Sequence, residues 1–304
     1  MTNKYNKRHL PFGHSAPIKD QETLALLDTI SGISRVIYDE DIHTKFLDDY
    51  VEWIKSSTNN TFSGLDQFAY KCVANGTTEA FDKFYINHSS KRFRCFKGEY
   101  LYHRLAWNSS GIKWAYIEDA PLESNDVVVT SYPFADTGDK HEQLDTVLEQ
   151  CDKLSIPVLL DCAYFGLCAN LHFDLTHPCI QEVTFSLSKT FPVSHIRVGM
   201  RLSRVDNDDA LFVINKNGYI NRLAAHIGHE FIKKFSPDYI YNKYRSKQIN
   251  ICDILKIKPT NTVVFGLAES GWDEYNRDRQ TSRLGLHNFL YLDDLTSLYQ
   301  HAKN

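Results

Sequence analysis

Four short runs constrain this chain most: residues 127–130 (Val-Val-Val-Thr), 156–160, 183–185 and 196–202. The first is a continuous apolar run, which marks a strand buried on both faces rather than one with a wet side, and the other three read as further buried strands. Between the first two lies a stretch, residues 143–154, in which Leu144, Val147, Leu148, Cys151 and Leu154 recur at spacings of three and four. That is the spacing of an amphipathic helix. Strand, helix, strand in this rhythm predicts an α/β fold, a three-layer sandwich with a mostly parallel sheet and helices on both faces.

Other segments fill in the plan. An amphipathic helix is expected over 41–57, with Asp41 as its N-cap, and another over 77–85 after the β-rich run 70–74. Past residue 208 the pattern turns helical, over 218–235 and 239–255. Strand candidates follow at 262–267 and 283–286, and a last helix at 293–301. The expected organisation is an N-terminal segment, 1–35, that joins a small domain, a large α/β domain over 36–205, and a compact, reduced α+β domain over 206–304. At roughly 150 residues per domain, 304 residues make one large or two medium domains.

Composition removes several function classes. With 34 basic against 38 acidic residues, the chain has no electrostatic footprint for nucleic acid. It contains no apolar run of the roughly 18 residues that a membrane span needs. The first twenty residues are polar and lack a signal-peptide core. Seven cysteines, an odd number with no C-x-x-C pair, fit reduced thiols acting as small hydrophobes. The expectation is a cytoplasmic globular protein.

Chemistry concentrates at Ser186-Leu187-Ser188-Lys189, just after a predicted buried strand, with Arg197-Val198-Gly199 close behind. Ser-Lys-Thr looks like the end of a P-loop, but the glycines that would cradle a phosphate are missing. A better match is a lysine offered to an aldehyde cofactor, with hydroxyls and an arginine placed for that cofactor's phosphate. Upstream, Asp161-Cys162-Ala163-Tyr164 stands at the carboxyl end of another strand, where open α/β sheets bind ligands. An aspartate among apolar neighbours is costly there unless it meets a cation.

This ordered set, S-x-S-K-x7-R-x-G with D-x-A-Y before it, resembles the fold-type I pyridoxal-phosphate (PLP) enzymes, in the class I/II aminotransferase branch near the histidinol-phosphate aminotransferases. The resemblance implies a Schiff base between Lys189 and PLP, Lys189 also carrying the proton of the substrate carbon. It implies Asp161 on the pyridine nitrogen and Tyr164 on the ring's 3′ oxygen. Ser186, Ser188 and Arg197 would hold the phosphate, together with the turn Asn75-Gly76-Thr77-Thr78 at a helix N-terminus. Tyr100, in Gly98-Glu99-Tyr100-Leu101-Tyr102, would stack on the ring. Tyr38 would reach the phosphate of a partner subunit, which implies a homodimer with shared active sites. Arg283, in Ser282-Arg283-Leu284-Gly285, would clamp a substrate carboxylate through its guanidinium fork.

The resemblance spans residues 35–290 and has gaps. Where the family carries N-P-T-G this chain reads Ala135-Asp136-Thr137-Gly138, so the asparagine that bonds the 3′ oxygen is missing and Asp136 is a candidate for its space. Pro192 and His195 stand in the lysine loop, where small residues are usual; His195 would either reshape the phosphate cup or put an imidazole near the site. Tyr38 and Tyr100 also read as packing aromatics, Tyr164 as a core aromatic and Arg283 as a solvated strand residue. His226 and His229, three apart, have no third ligand, so no metal is expected. The leading expectation is a PLP-dependent aminotransferase acting on an amino acid or related amine. A lyase, cyclase or decarboxylase on the same cofactor, and a catalytically silent PLP-binding protein, are the alternatives.

Overall fold

The computed structural model describes residues 7, 9–277, 279 and 281–301. Its elements, in order, are helices α1 (Gln21–Thr29), α2 (Ile33–Val36) and α3 (Ile42–Lys55), then β1 (Thr61–Ser63), β2 (Tyr70–Asn75), α4 (Thr77–Asn87) and β3 (Arg92–Cys95). There follow α5 (Leu101–Ser109), β4 (Trp114–Tyr116), β5 (Asp126–Ser131), α6 (Leu144–Leu154), β6 (Val158–Asp161), β7 (His172–Asp174), β8 (Ile180–Ser186) and β9 (Val198–Ser203). The C-terminal part has α7 (Ala210–Lys216), α8 (Arg222–Lys234), α9 (Tyr239–Leu255), β10 (Lys258–Pro259), β11 (Phe265–Ala268) and β12 (Ser282–Gly285).

Seven strands form one sheet in the order β2-β9-β8-β6-β5-β3-β4, parallel except that β9 runs against both β2 and β8. The apolar runs earn their continuity. In β5, Val127 and Val129 pack with α4 and α5, beside Phe81, Phe84 and Trp107, whereas Val128 joins the core on the opposite face. In β6, Leu159 goes one way and Val158 and Leu160 the other. A strand with a core on each side has no polar position to spare. Each such Val or Leu contributes roughly 1.5–3 kcal/mol by burial.

Strand direction places the functional residues. The carboxyl ends of β5, β6 and β8 lie together, with Ser131 opposite Asp161 and Asp161 opposite Thr184. Because β9 is antiparallel, its first residues reach the same edge, and so does the end of β2, where Asn75 pairs with Val198. Gly76, Asp161, Lys189 and Arg197 therefore converge from four segments.

A second sheet, β10-β11-β12, is antiparallel, and the N-terminal stretch runs along it. Gly285 N donates to Phe12 O at 2.8 Å. The Phe12 ring stacks on Phe289 and meets Trp272 and Tyr275 edge-on.

Several expectations are corrected. Asp41 holds the N-cap position of α3, but its side chain makes no capping bond. The stretch expected as a helix from 218 starts later: Gly218, at φ +69, separates α7 from α8, which Asn221 caps by accepting from Ala224 N. The 262–267 strand starts only at Phe265, because Thr262 is tied into a turn with Thr260 and Gly138. The last helix is a five-residue 3-10 turn, Thr296–Gln300: Asp294 Oδ1 accepts from Thr296 N just ahead of it, and i→i+3 bonds close the chain. All seven cysteines are buried and free.

Candidate active site

Two adjoining cavities open at the carboxyl edge of the large sheet and share Tyr100, Ala135, Tyr164 and Lys189. The smaller, about 80 Å³, is lined by Thr77, Thr78, Asp161, Ser186, Ser188 and Arg197. The larger, about 350 Å³, is lined by Arg283, Arg277, Tyr102 and the N-terminal residues His14 and Ser15.

Asp161 ends β6 at the floor of the smaller cavity. Its Oδ1 accepts from Ala163 N at 3.1 Å and from Thr184 Oγ1 at 3.2 Å. Burial first, and the nearby Glu99 carboxyl second, push its pKa up to about 7, against the pull of those bonds and of Lys189. A carboxyl in this state favours a cation beside it. Lys189 follows β8, with Nζ donating to Ser15 O at 3.1 Å and lying 5.8 Å from the Tyr164 ring centre. Burial opposes ionisation of the Tyr164 phenol, but the charges of Lys189, Arg283 and Arg277 outweigh it and hold its pKa below the usual value.

The far wall of the smaller cavity is a cup built on two glycines and an arginine. Arg197, in the left-handed region at φ +68, sends Nη2 to Thr78 Oγ1 at 3.0 Å and Nη1 to Ser194 O at 3.2 Å. Such a backbone costs about 1–3 kcal/mol and is found where the surroundings fix it. Gly76 has φ +74, and a Cβ there would sit 2.2 Å from Arg197 Nη2. A Cβ on Gly199 would strike the Gly76 backbone at 2.8 Å. With the α4 N-terminus behind Thr77 and Thr78, the result is a positive, donor-rich cup. The Ser188 hydroxyl is buried there without a partner among the described residues. Cup, orphaned hydroxyl and cation-seeking Asp161 fit the phosphate and pyridine ends of PLP.

Some predicted residues do other work. The Asn75 side chain bonds Glu79 and Asn221 and does not line the cavity. The Ser186 hydroxyl is committed to Val198 O at 3.0 Å, bracing β8 against β9, and accepts from Ser188 N. Tyr100 is partly exposed between the two cavities, beside Tyr102. Tyr38 is no core residue, being 82% exposed. His195 is exposed and outside both linings, so it puts no imidazole at the site. Asp136 does not take the asparagine's place: it is buried behind the wall, 3.9 Å from Arg277 and 3.7 Å from Arg279, while Ala135 faces the cavities. Arg283 is buried rather than solvated, with its guanidinium 4.3 Å over the Phe265 ring and Nη1 on Ala135 O. His226 approaches Ser31 O, and His229 pairs with Asp49 at 2.6 Å.

Four residues escaped the sequence reading. Thr184 supports Asp161. Ser15 holds Lys189 through a carbonyl, which no side-chain pattern encodes. Glu99, fully buried, accepts from Ser131 N and Oγ and from Tyr100 N, tying the expected stacking tyrosine to the end of β5. Its signal was a glutamate in a segment that packs under the sheet edge. Arg277 lines the larger cavity, and its signal was an arginine pair just before Arg283.

The comparisons with known proteins agree with this geometry. Residues 100–236 match the family model "Aminotransferase class I and II". No curated protein matches the sequence. Among solved structures, a probable N-succinyldiaminopimelate aminotransferase from Thermus thermophilus superposes with a TM-score of 0.68 at 14% identity, covering 94% of this chain and 90% of its own. Histidinol-phosphate aminotransferase from Clostridium acetobutylicum gives 0.62 at 14% identity, covering 95% and 98%. A PLP-bound C-S lyase from Staphylococcus hominis gives 0.59 at 10% identity, covering 91% and 82%. The central stretch, residues 100–236, is thus similar to the class I and II aminotransferases, and the fold of these solved structures extends over most of the chain.

Proposed function

We propose that this protein is an aminotransferase that moves an amino group between an amino acid, or a related amine, and a keto acid, with PLP held at Lys189. The observation that carries the reading is the convergence of Lys189, Asp161 and the Gly76–Arg197 cup on one cavity. When bound, PLP supplies an aldehyde that links to amines and a ring that withdraws electrons from the bond being broken.

The chain's residues supply the rest. Lys189 Nζ would be the group that holds the cofactor's aldehyde and the base that would take a proton from the substrate carbon and return it. The Asp161 carboxylate would hold a proton on the ring nitrogen, and a cation beside it would lower the carboxyl pKa again. Thr77, Thr78, Ser188 and Arg197 would hold the phosphate, with Gly76 leaving room for the arginine. Tyr164 would donate to the ring's 3′ oxygen without help from residue 135, whose methyl carries no donor. Tyr100 covers the ring, and Arg283 clamps the substrate carboxylate.

The same reading makes the protein a cytoplasmic homodimer. Ile33, Ile37, Tyr38, Tyr219 and Leu223 are exposed apolar side chains that a second copy would cover, and Tyr38 would then reach the partner's phosphate. No helix among the described residues is long and apolar enough to cross a membrane. The domain division at 1–35, 36–205 and 206–304 belongs to this proposal as well. Ala135 favours a second reading, in which the cofactor serves elimination, cyclisation or decarboxylation. Transfer of nitrogen-15 from labelled amino acids to a panel of keto acids tests the choice. Labelled amino acid product supports transamination; ammonia or carbon dioxide without transfer overturns it.

A further inference from the structure

We infer that Arg277 reads a second negative charge on the substrate, so that the preferred amine carries an anionic group, carboxylate or phosphate ester, at its side-chain end. The inference rests on the aminotransferase reading and adds the substrate class to it.

The charge balance of the larger cavity is the starting point. Its described lining includes Lys7, Lys189, Arg277 and Arg283 but no aspartate or glutamate. In the proposed reaction Lys189 is committed to the cofactor and Arg283 to the carboxylate next to the reacting amine. Lys7 Nζ donates to Asn276 O, which leaves Arg277 in a site that water only partly reaches, its side chain being 19% exposed. A fixed charge in such a place attracts an opposite charge more strongly than it would in bulk water.

Arg277 is also held so as to present its fork. Nη1 donates to Ala135 O at 3.3 Å, the carbonyl that Arg283 Nη1 also reaches. Its closest carboxylate among the described residues, Asp136, is 3.9 Å from Nε, at the outer limit of an ion pair. Two residues on, Arg279 shows the opposite arrangement. Its Nη1 meets His141 Nε2 at 2.7 Å and its Nη2 meets Glu142 at 2.9 Å, so that guanidinium is spent on the protein and lines neither cavity. Arg277 and Arg283 stand close enough that, after burial, the Arg277 charge helps pull the Arg283 pKa down to about 10. An anion between or beside them relieves that repulsion, and a substrate with two anionic ends relieves it twice.

The test uses the PLP-loaded protein and paired amines that differ only in the distal charge: glutamate against glutamine, aspartate against asparagine, and a phosphorylated amino alcohol against its free alcohol. The expected result is a kcat/KM preference of roughly 10- to 100-fold for the charged member of at least one pair. Arg277→Gln brings that ratio close to one, and Arg277→Lys keeps part of it. Whichever pair responds identifies the anion. Calorimetric binding of glutarate against butyrate reads the same preference without turnover. An absent preference in the native protein overturns the inference, as does an Arg277→Gln variant that weakens both members of every pair equally, which would place Arg277 on the common carboxylate. Borohydride capture of PLP at Lys189 in the variant shows that the cofactor cup survives. Failure of capture in the native protein strikes the aminotransferase reading itself, whereas capture with equal use of charged and neutral amines strikes only Arg277.

Discussion

The cofactor side and the substrate side of the site are built by different means. On the cofactor side, Asp161, Lys189, Arg197 and Gly76 each sit at, or within a few residues of, a strand end of one sheet, and the register of that sheet brings them together. On the substrate side, Ser15, Ala135, Arg277 and Arg283 come from loops and from the edge of a separate three-stranded sheet. The first arrangement is set by the hydrogen-bonded ladder, which fixes where each strand ends relative to its neighbours. The second depends on loops that tolerate change, so a family can hold its cofactor chemistry while varying its substrate.

Substitutions on the cofactor side should therefore have the larger effects. Lys189→Ala should abolish covalent PLP capture and lower transamination by at least about 10⁴-fold, checked by borohydride trapping and single-turnover kinetics. Asp161→Asn should lower kcat by roughly 100- to 1,000-fold. Its effect on the PLP-free protein should be the reverse. The folded pKa of Asp161, about 7, lies above the unfolded value, so the folded state binds the extra proton. That contribution to stability is fully present below about pH 4 and is lost as pH rises through about 7. The cofactor-free Asp161→Asn protein should then melt higher than the native chain near pH 8 and vary less with pH, as read by calorimetry.

Legibility divides along the same line. Val127, Val128 and Val129 announced a two-sided core because three consecutive apolar residues must point both ways. Lys189 and Arg197 were legible because one loop carries both, and Asp161 because a charge ending an apolar run needs a reason. Arg277 meets Ala135 across 142 residues of sequence, and Ser15 meets Lys189 across 174. No local pattern encodes such contacts. Glu99 went unnoticed for a related reason: its neighbour Tyr100 drew the assignment, while the buried carboxyl beneath it shows itself only once Ser131 is placed.

Two smaller effects sharpen the contrast. Gly76→Ala forces a Cβ against Arg197 at positive φ, so PLP affinity should drop roughly 10- to 100-fold, measured by equilibrium titration. A Gly76→Ala protein with native affinity would remove the cup from the account. Glu99→Gln takes away a carboxyl that raises the Asp161 pKa. The pH dependence of cofactor-free stability should move to lower pH by less than about one unit. No movement would mean that burial alone sets Asp161.

The central claim is that Lys189 is the residue that holds PLP. It is tested most directly by loading the purified protein with PLP, reducing with borohydride, and locating the modified peptide by mass spectrometry. A single pyridoxyl adduct on Lys189, lost in Lys189→Ala, is the predicted result. An adduct on another lysine, or none at all, would contradict it.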